Sequence, residues 1–391
     1  MNANILNPEV QKFLREHGNA DVSKIALLKS RFRDVSSREL AEQLDSRQRS
    51  AKKLPLWHNT PRIYFPPRLS MEQSSSEVTA EHKSKLIKGD KIIDLTGGFG
   101  VDSFYFSKRA KEVLHCERNE ELSAIAKHNL NTLGAKNVRF IGSDSIEFLK
   151  STSESFDTIY IDPSRRVQTK KVFLLRDTEP DVVGNLPLML EKASRVVIKT
   201  SPLLDIQSGL KELRQVSEVH VISLKNDCKE LIWIIDRGFE GEPRITASAL
   251  SAGQSQTYNF SLSNEHELKL ESWSAPLAYI YEPDVALLKA GAFKSIAAHW
   301  KISKLQQNTH LYTSENKISD FIGKVFTVQS ASDYKTFIKE KPLSKANIIS
   351  RNFPHSPEEL KKRHNLTDGG EDYLIFTTAY PERLLVIHAS L

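Results

Sequence analysis

Ile92-Ile93-Asp94-Leu95-Thr96-Gly97-Gly98-Phe99-Gly100-Val101-Asp102-Ser103 passes from an apolar strand-length run, through a carboxylate and three glycines, into the start of a helical pattern. Glycines permit positive φ and close approach of backbone to a ligand, and a helix N-terminus offers unpaired N–H groups to an anionic end. Alone, such a loop fits a nucleotide-like ligand or a mere tight turn equally well.

Outward from it, strand and helix patterns alternate. The pattern predicts strands at 91–95, 112–116, 138–141, 158–161, 196–199, 219–223 and 231–235, with helical periodicity between most of them. That alternation implies a mainly parallel sheet covered on both faces, with right-handed crossovers. Lys225-Asn226-Asp227-Cys228-Lys229 leaves room between the last two strands for a hairpin and none for a helix, so six parallel strands are followed by one antiparallel strand.

Upstream, Val10, Leu14, Ile25, Leu28 and Phe32 recur at helical spacing, which predicts a helical N-terminal module over 1–54. Pro55, Pro61, Pro66 and Pro67 predict an extended linker up to Arg68; from Glu72 to Leu86 the composition is again helical. The expected division is a linker and ligand-closing segment at 55–78, the doubly wound domain at 79–237, and small α+β regions at 238–318 and 319–391.

Composition narrows the class. With 39% hydrophobic and 27% charged residues the chain is globular, and its 391 residues imply several domains. No apolar run reaches the roughly 18 to 20 residues of a membrane span, and Met1-Asn2-Ala3-Asn4-Ile5-Leu6-Asn7-Pro8 lacks the features of a signal peptide, so a cytoplasmic protein is expected. Two cysteines, Cys116 and Cys228, exclude a disulfide framework. The twelve histidines show no metal spacing, and no metal is expected. Residues 1–90 hold 16 Lys/Arg against 11 Asp/Glu; Lys29, Arg31, Arg33, Arg47, Arg49, Lys52 and Lys53 could meet phosphates or form a solvated helix face.

Three further positions sharpen the ligand. Strand two ends at Glu117, where a carboxylate can accept both hydroxyls of a ribose. Strand three ends at Asp144, suited to an adenine amino group, which favours an adenosine without a pyrophosphate over a dinucleotide. Strand four delivers Asp162-Pro163-Ser164-Arg165-Arg166 to the carboxyl edge of the sheet, where open α/β sheets bind ligands. Each acidic residue could instead cap a helix; their order on successive strand–helix units supports the ligand reading.

Asp94-Leu-Thr-Gly-Gly-Phe-Gly-Val-Asp102 and Asp162-Pro-Ser-Arg-Arg166 together resemble the class I S-adenosylmethionine-dependent methyltransferases, a Rossmann-like seven-stranded sheet with its last strand antiparallel. With Lys225-Asn-Asp-Cys-Lys-Glu-Leu231 and Gly369-Gly-Glu-Asp-Tyr-Leu374, nearly the whole chain resembles members carrying a small ferredoxin-like unit and a C-terminal THUMP-like unit. The resemblance implies that Asp94 and the loop of Gly97, Gly98 and Gly100 hold the methionine part of S-adenosylmethionine, Glu117 the ribose and Asp144 the adenine. It places Gln73 and Ser75 in a segment closing over the cofactor's carboxylate.

Relatives whose fourth motif is Asp/Asn-Pro-Pro-aromatic orient a base's amino group with that first side chain and a backbone carbonyl, the positions of Asp162 and Pro163. Here Ser164 and Arg165 replace the second proline and the aromatic ring, which puts an amino target in doubt, while Arg165 and Arg166 could grip an acceptor's phosphate or carboxylate. The expected function is methylation of a base in structured ribosomal or transfer RNA, with Trp57, Tyr64 and Phe65 either stacking on bases or packing on the catalytic domain. Alternatives are a protein or small-molecule acceptor, a catalytically idle binding protein, and, last, an NAD-linked enzyme. Cys228 as a covalent nucleophile is the lesser reading of that residue, and Cys116 is expected in the core.

Overall fold

The computed structural model describes residues 1–165, 174–251, 253–270, 273–340 and 343–391. Two units emerge: Met1–Glu218 with Leu231–Glu242, and Val219–Glu230 with Pro243–Leu391.

In the first unit the apolar runs form β1 (Lys91–Asp94), β2 (Glu112–Cys116), β3 (Val138–Ile141), β4 (Phe156–Ile161) and β5 (Ala193–Thr200). β6 (Val216–Leu224) and β7 (Cys228–Asp236) make the terminal hairpin, whose tip, 219–230, counts with the second unit. These strands lie in the order β3-β2-β1-β4-β5-β7-β6 within a nine-stranded sheet. β1 to β5 pair in parallel, Ile92 opposite Val113 and Thr158 and Ile159 opposite Val196, whereas β7 runs antiparallel to β5. This is the α/β, Rossmann-like seven-stranded order; β1 and β4 are neighbours, and β1 crosses over to β2 on the other side, so a crevice opens above their carboxyl ends.

Ahead of the sheet come α1 (Pro8–Glu16), α2 (Val22–Leu27) and α3 (Ser37–Lys53), the last begun by a capping box in which Ser36 and Glu39 satisfy each other's backbone N–H groups. Val10, Leu14 and Ile25 are buried as their spacing predicts, but Leu28 closes α2 and is exposed. Between β1 and β4 run α7 (Val101–Ser107), α8 (Glu120–Thr132) and α9 (Ser145–Ser151).

The expected linker at 55–68 is instead part of the core. Pro55 occupies the first position of a short helix, α4 (Pro55–Asn59), where its missing N–H costs nothing. Trp57 is fully buried, its ring edge-on to Phe104 at 4.9 Å. The extended residues beyond are held by two side-chain amides acting as sheet partners: Asn129 bonds both the N–H and the C=O of Tyr64 (2.9 and 2.8 Å), and Gln43 does the same for Phe65 (2.9 and 2.7 Å). The N-terminal helices therefore share one hydrophobic core with Phe99, Phe104, Ile125 and Leu130. Of the two readings of Trp57, Tyr64 and Phe65, packing holds and base stacking is excluded by their burial. α5 (Arg68–Gln73) and α6 (Glu77–Ser84) then lead into β1.

In the second unit β8 (Arg244–Ser251) and β9 (Gln254–Ser261) form an antiparallel hairpin. Beyond it lies a seven-stranded sheet built from β10 (Tyr279–Pro283), β11 (Ser303–Gln306), β12 (Thr309–Ser314), β13 (Gly323–Asp333), β14 (Asn347–Arg351), β15 (Asp372–Ala379) and β16 (Arg383–Ser390), ordered β11-β12-β10-β13-β16-β15-β14. β10 pairs with β13 from Tyr279 opposite Thr327 to Pro283 opposite Gly323, so one sheet runs across the expected 318/319 division.

Candidate active site

The glycine loop is built by close approach. A Cβ on Gly97 would stand 2.2 Å from the His115 ring, and one on Gly100, at φ +85°, would stand 2.9 Å from Leu130. The loop is tied to β2 by Gly97 N–H to the Cys116 carbonyl (2.8 Å) and by Gly98 N–H to Glu117 Oε2 (3.0 Å). Glu117 Oε1 accepts from the Asn119 N–H at 2.7 Å, so both carboxylate oxygens are aimed by backbone donors.

A cavity of about 850 Å³ opens above the carboxyl ends of the strands. Its wall unites Gln73, Ser75, Gly97, Gly98, Gly100, Glu117, Asp144, Asp162 and Pro163, which the sequence separates by up to 90 positions. Asp144 is also the N-cap of α9, Oδ1 accepting from the N–H groups of Ile146 and Glu147 (2.9 and 3.0 Å). Asp162 is fixed from two sides: its N–H donates to Thr96 Oγ1 at 2.7 Å, and its Oδ2 receives the Lys199 ammonium at 2.7 Å.

Asp94 departs from expectation. It is not among the cavity-lining residues but lies beneath the loop, 1% exposed, accepting from the Thr96 N–H (3.1 Å) and the Ser103 hydroxyl (2.6 Å). Those two bonds tie the carboxylate to the loop and to the first turn of α7. Burial pushes its carboxyl up to about 7; the bonds from Ser103 and Thr96 oppose that, while Asp102 and Asp162 add to it. Ser103 Oγ also lies 3.0 Å from His115 Nδ1, and burial holds that imidazole down at about 3. The histidine is thus neutral.

Arg166 lies outside the described residues, as does the side chain of Arg165, whose backbone pairs with Thr178 in a two-residue ribbon. Cys228 is the first residue of β7, is absent from the cavity wall, and its thiol is pushed up to about 11 by burial, which opposes a nucleophilic role. Cys116 is buried core. Among the described residues no group of three or more potential metal ligands occurs, and no helix is long and apolar enough to cross a membrane.

Sequence reasoning missed Thr96, Lys199 and the segment Glu179–Asp181 with Asn185, all on the wall, and Lys83 behind it. Lys199 follows from the β4·β5 register, in which Ile161 faces Ile198, setting the next residue of each strand side by side. Among the described residues the wall carries seven carboxylates and three cations, and each of these cations pairs with a wall carboxylate: Arg118 with Glu179, Lys150 with Glu147, Lys199 with Asp162. Of the other four, Asp102 pairs with Lys83 behind the wall, and Glu117, Asp144 and Asp181 are held by backbone N–H groups. The charge of these described residues disfavours a pyrophosphate and favours a neutral or cationic ligand.

Family models match three stretches: "Conserved hypothetical protein 95" over residues 76–218, a ferredoxin-like domain over 279–321 and a THUMP domain-like model over 323–390. No curated protein matches the chain. Two slight structural likenesses are a "putative methyltransferase" from Streptococcus mutans in complex with SAH (17% identity, 41% of this chain and 97% of that one, TM-score 0.29) and a "putative rRNA-methylase" from Clostridium thermocellum (12%, 40% and 94%, TM-score 0.30). A crystal structure described as a "putative methyltransferase" from Porphyromonas gingivalis W83 is of another order: 32% identity over 99% of this chain and 98% of that one, at TM-score 0.89. On that end-to-end likeness, the chain belongs to the same methyltransferase family as the Porphyromonas gingivalis protein.

Proposed function

We propose that the chain transfers the methyl group of S-adenosylmethionine to a base in structured RNA. The observation that carries the cofactor reading is the wall itself: a glycine loop clamped to Glu117 through Gly98, in a cavity whose uncompensated charges among the described residues are carboxylates. S-adenosylmethionine is an adenosine without phosphates and carries a sulfonium, so this charge favours it and disfavours NAD. When bound it supplies an electrophilic methyl group. The chain's part is positioning and electrostatics, with no metal needed.

In this reading Glu117 receives the ribose hydroxyls and Asp144 an adenine N–H through the oxygen not used for capping. Gln73 and Ser75 border the methionine end. Asp94 acts indirectly, by bracing the loop. Asp162, immobilised by Thr96 and Lys199, accepts an N–H of the acceptor and takes its proton as the new bond to carbon forms. Pro163 shapes the wall beside it, and Arg165 and Arg166 grip acceptor phosphate.

The RNA reading is supported by the THUMP-like match at 323–390 and by the N-terminal basic surplus. Arg38, Arg49 and Arg68 of that surplus are engaged by Glu42, Asp45 and Glu72, whereas Lys29, Arg31 and Arg33 are exposed and make no ion pair among the described residues. The test is incubation of the full chain with radiolabelled S-adenosylmethionine and total RNA from a deletion strain, beside a nuclease-treated aliquot. Label entering RNA and lost on nuclease treatment supports the proposal; cofactor binding without transfer to RNA moves the acceptor to a protein or small molecule.

A further inference from the structure

Lys83, on α6, is 0% exposed. Its side-chain nitrogen donates to Ser75 Oγ at 2.6 Å and forms an ion pair with Asp102 Oδ1 at 2.9 Å. Ser75 donates in turn to Asp102 Oδ2 (2.7 Å), and the Tyr160 hydroxyl from β4 reaches the same oxygen at 3.2 Å. The ammonium also lies 5.7 Å from the centre of the Tyr160 ring.

Both primary partners belong to the cavity wall: Ser75 from the segment between α5 and α6, Asp102 from the first turn of α7 beyond the glycine loop. Taking an ion pair out of water costs several kcal/mol per charge, and packed apolar side chains generally stabilise such a place at least as well. A charged pair here is therefore a poor device for stability alone. What it does accomplish is to fix a carboxylate, 12% exposed, in one orientation at the cavity wall.

We infer that Lys83 is a positioning residue for the cofactor: it locks Ser75 and Asp102 into one receptor for the amino-acid end of S-adenosylmethionine, Asp102 taking the α-ammonium and Ser75 bordering the carboxylate. The inference rests on the cofactor reading above. It assigns to one end of the ligand a device remote from Glu117 and Asp144, so the two ends can be separated chemically. S-adenosylhomocysteine carries the amino-acid end; 5′-methylthioadenosine keeps the nucleoside and lacks it.

The experiment is calorimetry of both compounds with the full chain, as wild type, as Lys83→Met/Asp102→Asn and as Ser75→Ala. The double change removes both charges together, leaving no unpaired buried ion, and Ser75→Ala leaves the ion pair intact should the double variant not fold. The expected result is S-adenosylhomocysteine binding weakened at least 10-fold in the double variant and several-fold in Ser75→Ala, with methylthioadenosine affinity within twofold of wild type. Unchanged S-adenosylhomocysteine affinity, or equal loss for both compounds, overturns the role of Lys83. Wild type that binds neither compound overturns the cofactor reading itself.

Discussion

Replacing Asp94 by Asn should expose a pH dependence of stability that the wild-type chain conceals. Beneath the glycine loop, burial raises the Asp94 carboxyl from 3.8 to about 7 and lowers His115 from 6.5 to about 3. Between roughly pH 4 and 6.5 the folded chain therefore keeps a proton on Asp94 and none on His115, while the unfolded chain keeps one on the histidine and none on the aspartate. One proton is bound in each state, and the pair contributes no slope.

Each partner alone would contribute one. A raised carboxyl stabilises the fold at low pH and loses that contribution as pH rises through about 7; a depressed imidazole stabilises it at higher pH and loses that contribution as pH falls below 6.5. Asp94→Asn retains the volume, can still accept from Thr96 N–H and donate to Ser103 Oγ, and leaves the histidine uncompensated. At about 1.4 kcal/mol per pH unit, the variant should lose about 2 kcal/mol relative to wild type between about pH 6.5 and pH 5. His115→Gln should slope the other way, losing stability as pH rises.

Urea unfolding of both chains at the two pH values reads this directly, as a relative midpoint displacement of about 1 M for a typical denaturant dependence. An identical gap between variant and wild type at both pH values would refute the proton assignment under the loop.

Other expected outcomes follow from single contacts. Glu117→Ala removes the acceptor of the Gly98 N–H and the proposed ribose contact; charge-assisted bonds of this kind contribute about 1.5–3 kcal/mol, so calorimetry should show cofactor affinity falling about 10- to 100-fold. Lys199→Met frees Asp162 from the ion pair that orients it and should lower kcat with cofactor affinity unchanged, Lys199→Arg restoring part of the rate; a cofactor affinity that falls with kcat would place Lys199 at the cofactor instead. Trp57→Ala empties a fully buried site packed on Phe104 and should cost about 3–5 kcal/mol in thermal unfolding, whereas a linker residue would cost almost nothing.

The sheet was legible because its strands are short apolar runs bounded by turn residues: β2 and β3 fall on 112–116 and 138–141 as predicted, and the hairpin of β6 and β7 follows from the brevity of Lys225–Lys229. The 55–68 segment was misread because proline density signals a break, while the amides that hold the segment, Gln43 and Asn129, lie 22 and 65 positions away. Lys83 and Lys199 carry no local signature at all; what makes them notable is a partner on another element, 19 and 37 positions distant. Asp94 shows a subtler limit: the sequence announces a carboxylate at a strand end, but whether it meets a ligand or the layer beneath depends on the loop's path.

Two buried polar groupings lie under or behind this one wall, Asp94 with Ser103 and His115 below the glycine loop and Lys83 with Asp102 and Tyr160 behind the closing segment. In low dielectric a hydrogen bond or ion pair is directional and costly to leave unmade, so each group admits one arrangement where an apolar packing admits several. The loop glycines and the segment around Ser75 would otherwise be among the most freely moving parts of the chain. Buried polarity placed there converts stability into a wall of fixed geometry, which spares a ligand the cost of ordering it.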